Sequence, residues 1–185
     1  FFDEFESLET IDLTNTGVEG KKWFTDRPWA WGNTPAGDLS IENGILTINP
    51  STQSPNVNIL TVSQKGKIGR GFQYGYFEAS ISFDPADWEK SVHYGFPAFW
   101  GLSKNQIINQ NLPLSMELDF YEAYVAQGAR FKDEFVGTVH EMNTRTNADH
   151  ANFGSNLKVL KGTDWKQFHK YGCLWQPGLI IWYFD

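Results

Sequence analysis

The sequence lacks the features that would indicate a structural metal, a membrane span or a nucleic-acid partner. Its 185 residues include one cysteine, Cys173, so no disulfide can form within the chain, and the four scattered histidines argue against a zinc site. The 15 Lys and Arg are outnumbered by 22 Asp and Glu and form no basic stripe. No apolar run approaches the ~20 residues of a membrane span, and the N-terminus shows no signal-peptide pattern.

Aromatic residues, by contrast, are abundant: 8 Trp, 7 Tyr and 15 Phe. Most of them are expected in a core, because aromatic side chains bury a large apolar area. A tryptophan excess also fits sugar binding, since the flat C–H face of a pyranose packs on an indole ring. With no repeat or linker visible, the length predicts one domain over residues 1–185 that buries roughly 70% of its unfolded surface.

The chain reads as all-β. No segment of about a dozen residues keeps a helical period, whereas short alternating runs recur between turn signals. A hairpin around Asn43-Gly44 is the clearest local signal. The predicted strands are 39–48 as two arms of that hairpin, then 58–64, 72–83, 96–102, 114–122, 135–140, 162–175 and 179–184. Residues 21–37 are predicted to form a loop that walls a cleft, and residues 141–156 a long polar loop. This pattern favours a sandwich or jelly roll.

One strand carries an unusual set of acids. In Leu114–Glu122, apolar residues occupy every second position up to Phe120, and Glu117 and Asp119 lie between them. A period of two predicts a strand with one face in a core and one in water. Glu122 falls on the wrong parity, where a regular strand would bury an unpaired charge at high cost. A β-bulge of one extra residue within Asp119–Glu122 would return Glu122 to the face of the other two acids.

Two glutamates on one sheet face are suited to glycoside hydrolysis. One carboxylate attacks the anomeric carbon while the other protonates the departing oxygen, which in the retaining geometry requires the carboxyl groups to lie about 5–5.5 Å apart. Asp119, between them, can hold the nucleophile by hydrogen bonding. The alternative interpretation is a solvated acidic strand on a protein that is acidic overall.

Several stretches resemble glycoside hydrolase family sixteen, the laminarinase-like enzymes. Residues 117–122 match the bulged E-x-D-x-x-E signature of that family. Further similar segments follow the expected order along the chain: 74–79 (Y-G-Y-F-E-A), 97–100 (P-A-F-W), 137–140 (G-T-V-H) and 164–185, which includes D-W, F-H-K-Y-G and W-Y-F-D. The four segments cover much of the chain and are more specific than the acids alone.

The resemblance implies a concanavalin-like β-jelly-roll sandwich of two curved antiparallel sheets with a concave substrate cleft. It implies Glu117 as nucleophile, Asp119 as its assistant and Glu122 as general acid/base of a retaining endo-hydrolase, with a β-1,3-glucan as the first substrate expected. Enzymes that act on galactans of the agar or carrageenan type share the bulged motif, so a galactan is the alternative substrate. A transglycosylase and a non-catalytic glycan-binding jelly roll also remain open as alternatives.

The sugar contacts are less sharply defined than the acids. The substrate-binding candidates are Trp100, His140, Asn58, Trp165 and Trp31. Where the family often has Trp before Pro-Ala this chain has Phe96, and where it often has Arg and Lys after Glu-Ala this chain has Ser80 and Ser82. These departures bear on the substrate more than on the reaction.

The resemblance also carries expectations about cofactors, partners and location. It implies no cofactor for the chemistry; members of the family bind calcium on the outer face, but no ligand cluster for it is recognisable here. The expected partner is a polysaccharide, and the protein is expected to be secreted or periplasmic. Family members usually continue for several strands beyond the W-Y-x-D segment, so the domain is expected to lack C-terminal strands. It is expected to be a monomer unless another chain supplies them.

Overall fold

A computed structural model describes residues 1–25, 33–50, 57–63, 68–84, 97–104, 114–123, 133–143, 148–159 and 161–185. Within these residues the chain forms two short 3₁₀ turns and eleven strands: β1 (Ile11–Asp12), β2 (Trp23–Phe24), β3 (Leu39–Glu42), β4 (Ile45–Ile48), β5 (Gly75–Ile81), β6 (Ala98–Leu102), β7 (Ser115–Glu122), β8 (Glu134–Asn143), β9 (Ala148–Lys158), β10 (His169–Gln176) and β11 (Leu179–Phe184). Among the described residues, no helix is long and apolar enough to cross a membrane.

The chain divides into two compact units. The first comprises Phe1–Gly71 and Lys104–Gln110, and the second comprises Phe72–Ser103 and Asn111–Asp185. The first unit contains the parallel pair β1–β2 and the antiparallel hairpin β3–β4. The predicted hairpin is confirmed, since Asn43 and Gly44 both have positive φ angles (52° and 74°) as its tight turn requires.

A buried carboxylate organises the start of the first unit. Asp12 is 2% exposed, and its side chain accepts hydrogen bonds from the Thr14 amide and hydroxyl and from the Gly17 and Val18 amides. Burial alone would raise the pKa of Asp12, but these hydrogen bonds outweigh it and lower the pKa below its usual value. The donors therefore keep Asp12 ionised while it fixes the turn after β1.

The second unit is a sandwich of two antiparallel sheets. The three-stranded sheet has the order β11-β10-β5, and the four-stranded sheet has the order β6-β7-β8-β9. An aromatic core lies between them, formed by Tyr121, Ala123 and Phe135 of the four-stranded sheet with Tyr171 of β10 and Trp165. The Tyr121 and Tyr171 rings lie 4.0 Å apart between centroids and both side chains are 0% exposed. Burying side chains of this size contributes about 1.5–3 kcal/mol each, so this contact is a main source of adhesion between the sheets.

Two sequence predictions about strands in this unit are wrong. Most of the predicted polar loop 141–156 is strand: β8 runs on to Asn143, and β9 pairs with it over ten positions from Glu134–Lys158 to Asn143–Ala148. β9 is the last strand of its sheet, where a polar sequence is tolerated because less of it needs to be buried. The strand predicted from residue 162 begins only at His169, after a turn in which the Gln167 amide donates to the Asp164 carbonyl.

Candidate active site

The acid strand contains the predicted bulge. On the β8 side Asp119 pairs with Thr138 and Glu122 pairs with Val136, so the three steps from Asp119 to Glu122 oppose two steps on β8. The bulge residues Phe120 and Tyr121 are both buried, at 4% and 0% exposure. An extra residue thus lets two consecutive apolar side chains enter the core, where a regular strand would have sent one of them outward.

The bulge restores a common face for the three acids. Directly paired residues of antiparallel strands project to the same side of a sheet. Glu117, Asp119 and Glu122 pair in turn with residues at every second position of both neighbouring strands: His140, Thr138 and Val136 of β8, and Leu102, Trp100 and Ala98 of β6. All nine side chains therefore belong to one side of the four-stranded sheet, which we call the acid face. It lies opposite the side that packs against the three-stranded sheet.

His140 contacts the middle acid. Its Nε2 atom lies 3.1 Å from Oδ2 of Asp119, and the two side chains are 15% and 2% exposed. Because Asp119 is almost fully enclosed, it cannot rely on water for its hydrogen bonds. The His140 imidazole is therefore an integral part of the acid cluster.

The acids are less exposed than the strand pattern predicts. Asp119 is 2% and Glu122 7% exposed, while Met116 at an apolar position is 46% exposed. The expectation of an apolar buried face and a polar solvated face thus fails at the start of β7. The residues next to and within β7 that join the aromatic core, Tyr121 and Ala123, lie at the opposite end of the strand from Met116. Low exposure strengthens electrostatic interactions among the acids.

The same cluster contains groups of the kind that bind cations. One ligand atom each from Glu117, Asp119 and His140 lies within 4.8 Å of the other two. Two carboxylates and an imidazole make a donor set that a divalent cation accepts, and two of the groups also contact one another directly, with His140 Nε2 3.1 Å from Asp119 Oδ2.

The predicted sugar-binding residues have different fates. Trp100 is half-buried on the acid face, beside Asp119. Trp165 is a correction: it is 4% exposed in the core, stacked on Phe83 with a centroid distance of 5.5 Å, because it enters the space between the sheets. Asn58 belongs to the first unit, where its backbone bonds the Thr34 hydroxyl. Trp31 lies outside the described residues, together with the rest of segment 26–32 of the predicted cleft-wall loop.

Sequence reasoning missed a residue that reaches the acid strand from below. The indole Nε1–H of Trp182 on β11 donates to the backbone carbonyl of Asp119, with a donor–acceptor distance of 2.9 Å. The two residues are 63 positions apart. The sequence of β11, L-I-I-W-Y-F, is apolar throughout, so it identifies neither the inward face of the strand nor the partner of Trp182.

The chain resembles known proteins both in sequence and in structure. No family model matches the sequence. Over its whole length the chain is 26% identical to two curated proteins of Rhizobium meliloti, the endo-1,3-1,4-beta-glycanases EglC and ExsH, and it spans 40% of the length of each.

Three solved structures share the fold. The laminarinase catalytic domain of Thermotoga maritima matches with a TM-score of 0.53 and 20% identity, over 83% of this chain and 58% of that one. A glycoside hydrolase family 16 endo-glucanase of Bacteroides ovatus matches with a TM-score of 0.56 and 17% identity, over 92% of this chain and 72% of that one. A GlcNAcα1-4Gal-releasing endo-β-galactosidase of Clostridium perfringens matches with a TM-score of 0.55 and 18% identity, over 94% of this chain and 49% of that one. The resemblance to family sixteen and the all-β jelly-roll fold are confirmed, and the relatives' names support the predicted enzyme class, a glycoside hydrolase.

Proposed function

We propose that the chain carries the catalytic site of a retaining endo-β-glycanase, which cleaves internal linkages of a polysaccharide by double displacement. The observation that carries the proposal is the bulge, because it brings Glu117, Asp119 and Glu122 to one face of one strand. A pair of glutamates on a single face can serve as nucleophile and acid for a sugar lying across them. The names of the curated relatives, both endo-glycanases, support the same reaction class.

The first step forms a glycosyl ester. The Glu117 carboxylate attacks the anomeric carbon, and the bond to the leaving oxygen breaks as Glu122 transfers its proton to that oxygen. Glu122 is 7% exposed and shares the acid face with Glu117, which supports its role as the partner that transfers the proton.

The second step uses water. Glu122, now a carboxylate, takes a proton from water as the water oxygen attacks the anomeric carbon, and the ester bond to Glu117 breaks. The product regains the β configuration after two inversions, Glu117 is again a carboxylate, and Glu122 is again protonated. The cycle balances with one water consumed and needs no cofactor.

Asp119 and His140 order the acid group. Asp119 lies between the two glutamates on the acid face, and His140 Nε2 contacts its Oδ2 at 3.1 Å. We assign Asp119 the role of holding the nucleophile in its attacking geometry, while His140 fixes the Asp119 carboxylate. Holding reacting groups within a fraction of an ångström supplies a large part of enzymatic rate acceleration.

The substrate class we favour is a β-glucan containing β-1,3 linkages. The relatives named as 1,3-1,4-glycanases support a glucan, and the half-buried Trp100 ring on the acid face offers a stacking surface beside the acids. Because the proposed substrate is a polymer, we propose that the protein acts outside the cell, and that it does so as a monomer.

The test is release of reducing sugar from laminarin, lichenan, agarose and carrageenan. Wild type should act on a glucan, and Glu117→Gln should lose at least about 10³-fold in kcat, because the amide cannot form the ester. Glu42→Gln makes the same chemical change at an exposed residue of β3 and should keep full activity.

Each outcome of this test has a defined meaning. Release from agarose or carrageenan would move the substrate to a galactan while retaining the mechanism. Transfer to added oligosaccharides in place of release would identify a transglycosylase. Binding without turnover by wild type would replace the enzyme with a glycan-binding protein.

A further inference from the structure

Every strand of the three-stranded sheet contacts the bulge of β7. Phe77 of β5 stacks on Phe120 with centroids 4.7 Å apart and planes at 15°. Tyr171 of β10 packs on Tyr121 at 4.0 Å. Trp182 of β11 donates its indole N–H to the Asp119 carbonyl. The first two contacts are apolar packing, whereas the third is directional and acts on the backbone itself.

The residue opposite the bulge leaves room for this hydrogen bond. Gly137 of β8 lies between Thr138 and Val136, the partners of Asp119 and Glu122. A Cβ atom on Gly137 would overlap Nε1, Cδ1 and Cε2 of Trp182. The indole therefore occupies the space that a side chain at 137 would fill, directly beneath the extra residue of β7.

This geometry links the core to the acid face through one peptide group. The Asp119 carbonyl lies at the first residue of the bulge, and the Asp119 side chain contacts His140 on the other side of the sheet. A bulge has several alternative local conformations because its extra residue is unpaired in the ladder. A fixed donor on the carbonyl selects one of them, and with it the orientation of Asp119 and the distance to Glu122.

We infer that Trp182 is a positioning residue for the reaction: its indole N–H, admitted by Gly137, holds the Asp119–Glu122 bulge in the conformation that places the general acid Glu122. Trp182 acts through the backbone and touches no reacting atom. The inference rests on the proposed function for its kinetic consequence, while the structural consequence can be measured without any activity.

The kinetic test is Trp182→Phe, which keeps an aromatic ring and removes the donor. With polysaccharide, kcat should fall about 10- to 100-fold while KM changes by less than about threefold, because a misplaced acid weakens protonation of the leaving oxygen. With a 2,4-dinitrophenyl glycoside of the same sugar kcat/KM should fall by less than about threefold, since this leaving group departs without a proton and kcat/KM excludes the second step, in which Glu122 acts as base. Equal losses on both substrates would overturn the inference, because a smaller folded fraction lowers both rates alike.

Trp175→Phe is the matched control. Trp175 lies on the same inward side of the three-stranded sheet and contacts the Phe77 and Tyr74 rings. Its replacement should leave the ratio of the two rates unchanged. A leaving-group dependence equal to that of Trp182→Phe would assign the effect to core packing and not to the hydrogen bond.

Gly137→Ala tests the other half of the arrangement. The added methyl group must displace the indole, so this variant should reproduce the leaving-group dependence of Trp182→Phe. Gly172→Ala is its control, because a methyl there would overlap Tyr76 on the other sheet, away from the bulge. The double variant Gly137→Ala/Trp182→Phe should lose less than the product of the two single losses, since both disrupt one interaction. Independent, multiplying losses would contradict a shared role.

Amide hydrogen exchange measured by NMR separates this inference from the proposed function. In Trp182→Phe the amides of Phe120 and Tyr121 should exchange at least about tenfold faster relative to the amides of β10, and in Trp175→Phe this ratio should stay constant. If wild type shows no hydrolysis but the exchange result holds, the proposed function fails and the holding of the bulge stands. If bulge exchange is unchanged in Trp182→Phe, the inference fails whatever the activity.

Discussion

Glu122 reaches the acid face through one extra residue in β7. Its parity in the sequence is wrong for a regular strand, and the cost of burying a lone charge was sufficient to predict both the bulge and its position. The structure has that bulge between Asp119 and Glu122. Trp182 could not be found in the same way, because its bond to Asp119 depends on how two sheets pack. Trp165 was misassigned because a tryptophan beside a loop has the same local pattern whether it faces a cleft or a core.

The acid/base role proposed for Glu122 gives a prediction at this scale. Glu122→Ala should lose at least about 10²-fold in kcat on polysaccharide, because no group protonates the leaving oxygen. Activity on a dinitrophenyl glycoside should be restored in part by azide, which attacks the glycosyl ester and needs no general base. NMR of the product should show a β-glycosyl azide. An α-azide would mean a single displacement, and Glu117→Gln, which cannot form the ester, should give no azide product at all.

At the scale of elements, the sequence located most strands of the two-sheet unit, whereas it missed β9 there and the short β1 and β2 of the first unit. The residues of β5 alternate between exposed and half-buried as the pattern predicts. Most of β9 lies in the stretch 141–156 that the sequence predicts as a polar loop, yet β9 pairs with β8 over ten positions. Its pairing is determined by the backbone of β8, which a single-strand pattern does not represent.

His169, the first residue of β10, makes a pH-dependent contact with Asp185, which follows β11. His169 Nδ1 lies 2.9 Å from Asp185 Oδ2, and Nε2 lies 3.1 Å from the Asp164 carbonyl. Burial alone would lower the pKa of His169, but the hydrogen bonds to Asp185 and Asp164 outweigh it and the pKa is raised. Both ring nitrogens face acceptors, so the protonated imidazole fits this site.

The free energy of unfolding should therefore depend on pH. Since folding raises the pKa of His169, the stabilisation is fully present below the unfolded pKa near 6.5 and is lost as pH rises through the folded value. Tm of wild type should therefore fall between about pH 5.5 and pH 8.5 by a few degrees more than Tm of His169→Gln. Asp185→Asn should remove much of the same difference. A wild-type pH dependence matched by both variants would show that this pair does not contribute.

At the scale of the molecule, the acid strand lies inside its sheet. β7 is flanked by β6 and β8, with β9 beyond β8. The recurring short strands predicted an all-β sandwich or jelly roll, the family resemblance implied the jelly roll, and the comparisons confirm that fold. The sequence patterns did not predict the strand order, because pairing between distant segments depends on their mutual packing and leaves little trace in either segment alone.

The interior position of β7 predicts how the proposed glycanase acts on a polymer. Sheet surface extends on both sides of the acids, so sugar units can bind on either side of the scissile bond, which favours cleavage within a chain. The viscosity of a soluble β-glucan should therefore fall steeply while few reducing ends have formed, and the first products should be oligosaccharides of mixed length. Viscometry with parallel reducing-end assay and chromatography measures this, and Glu117→Gln should leave the viscosity constant. Release of glucose or of a single short product from the start, with viscosity retained, would indicate an enzyme that acts from chain ends.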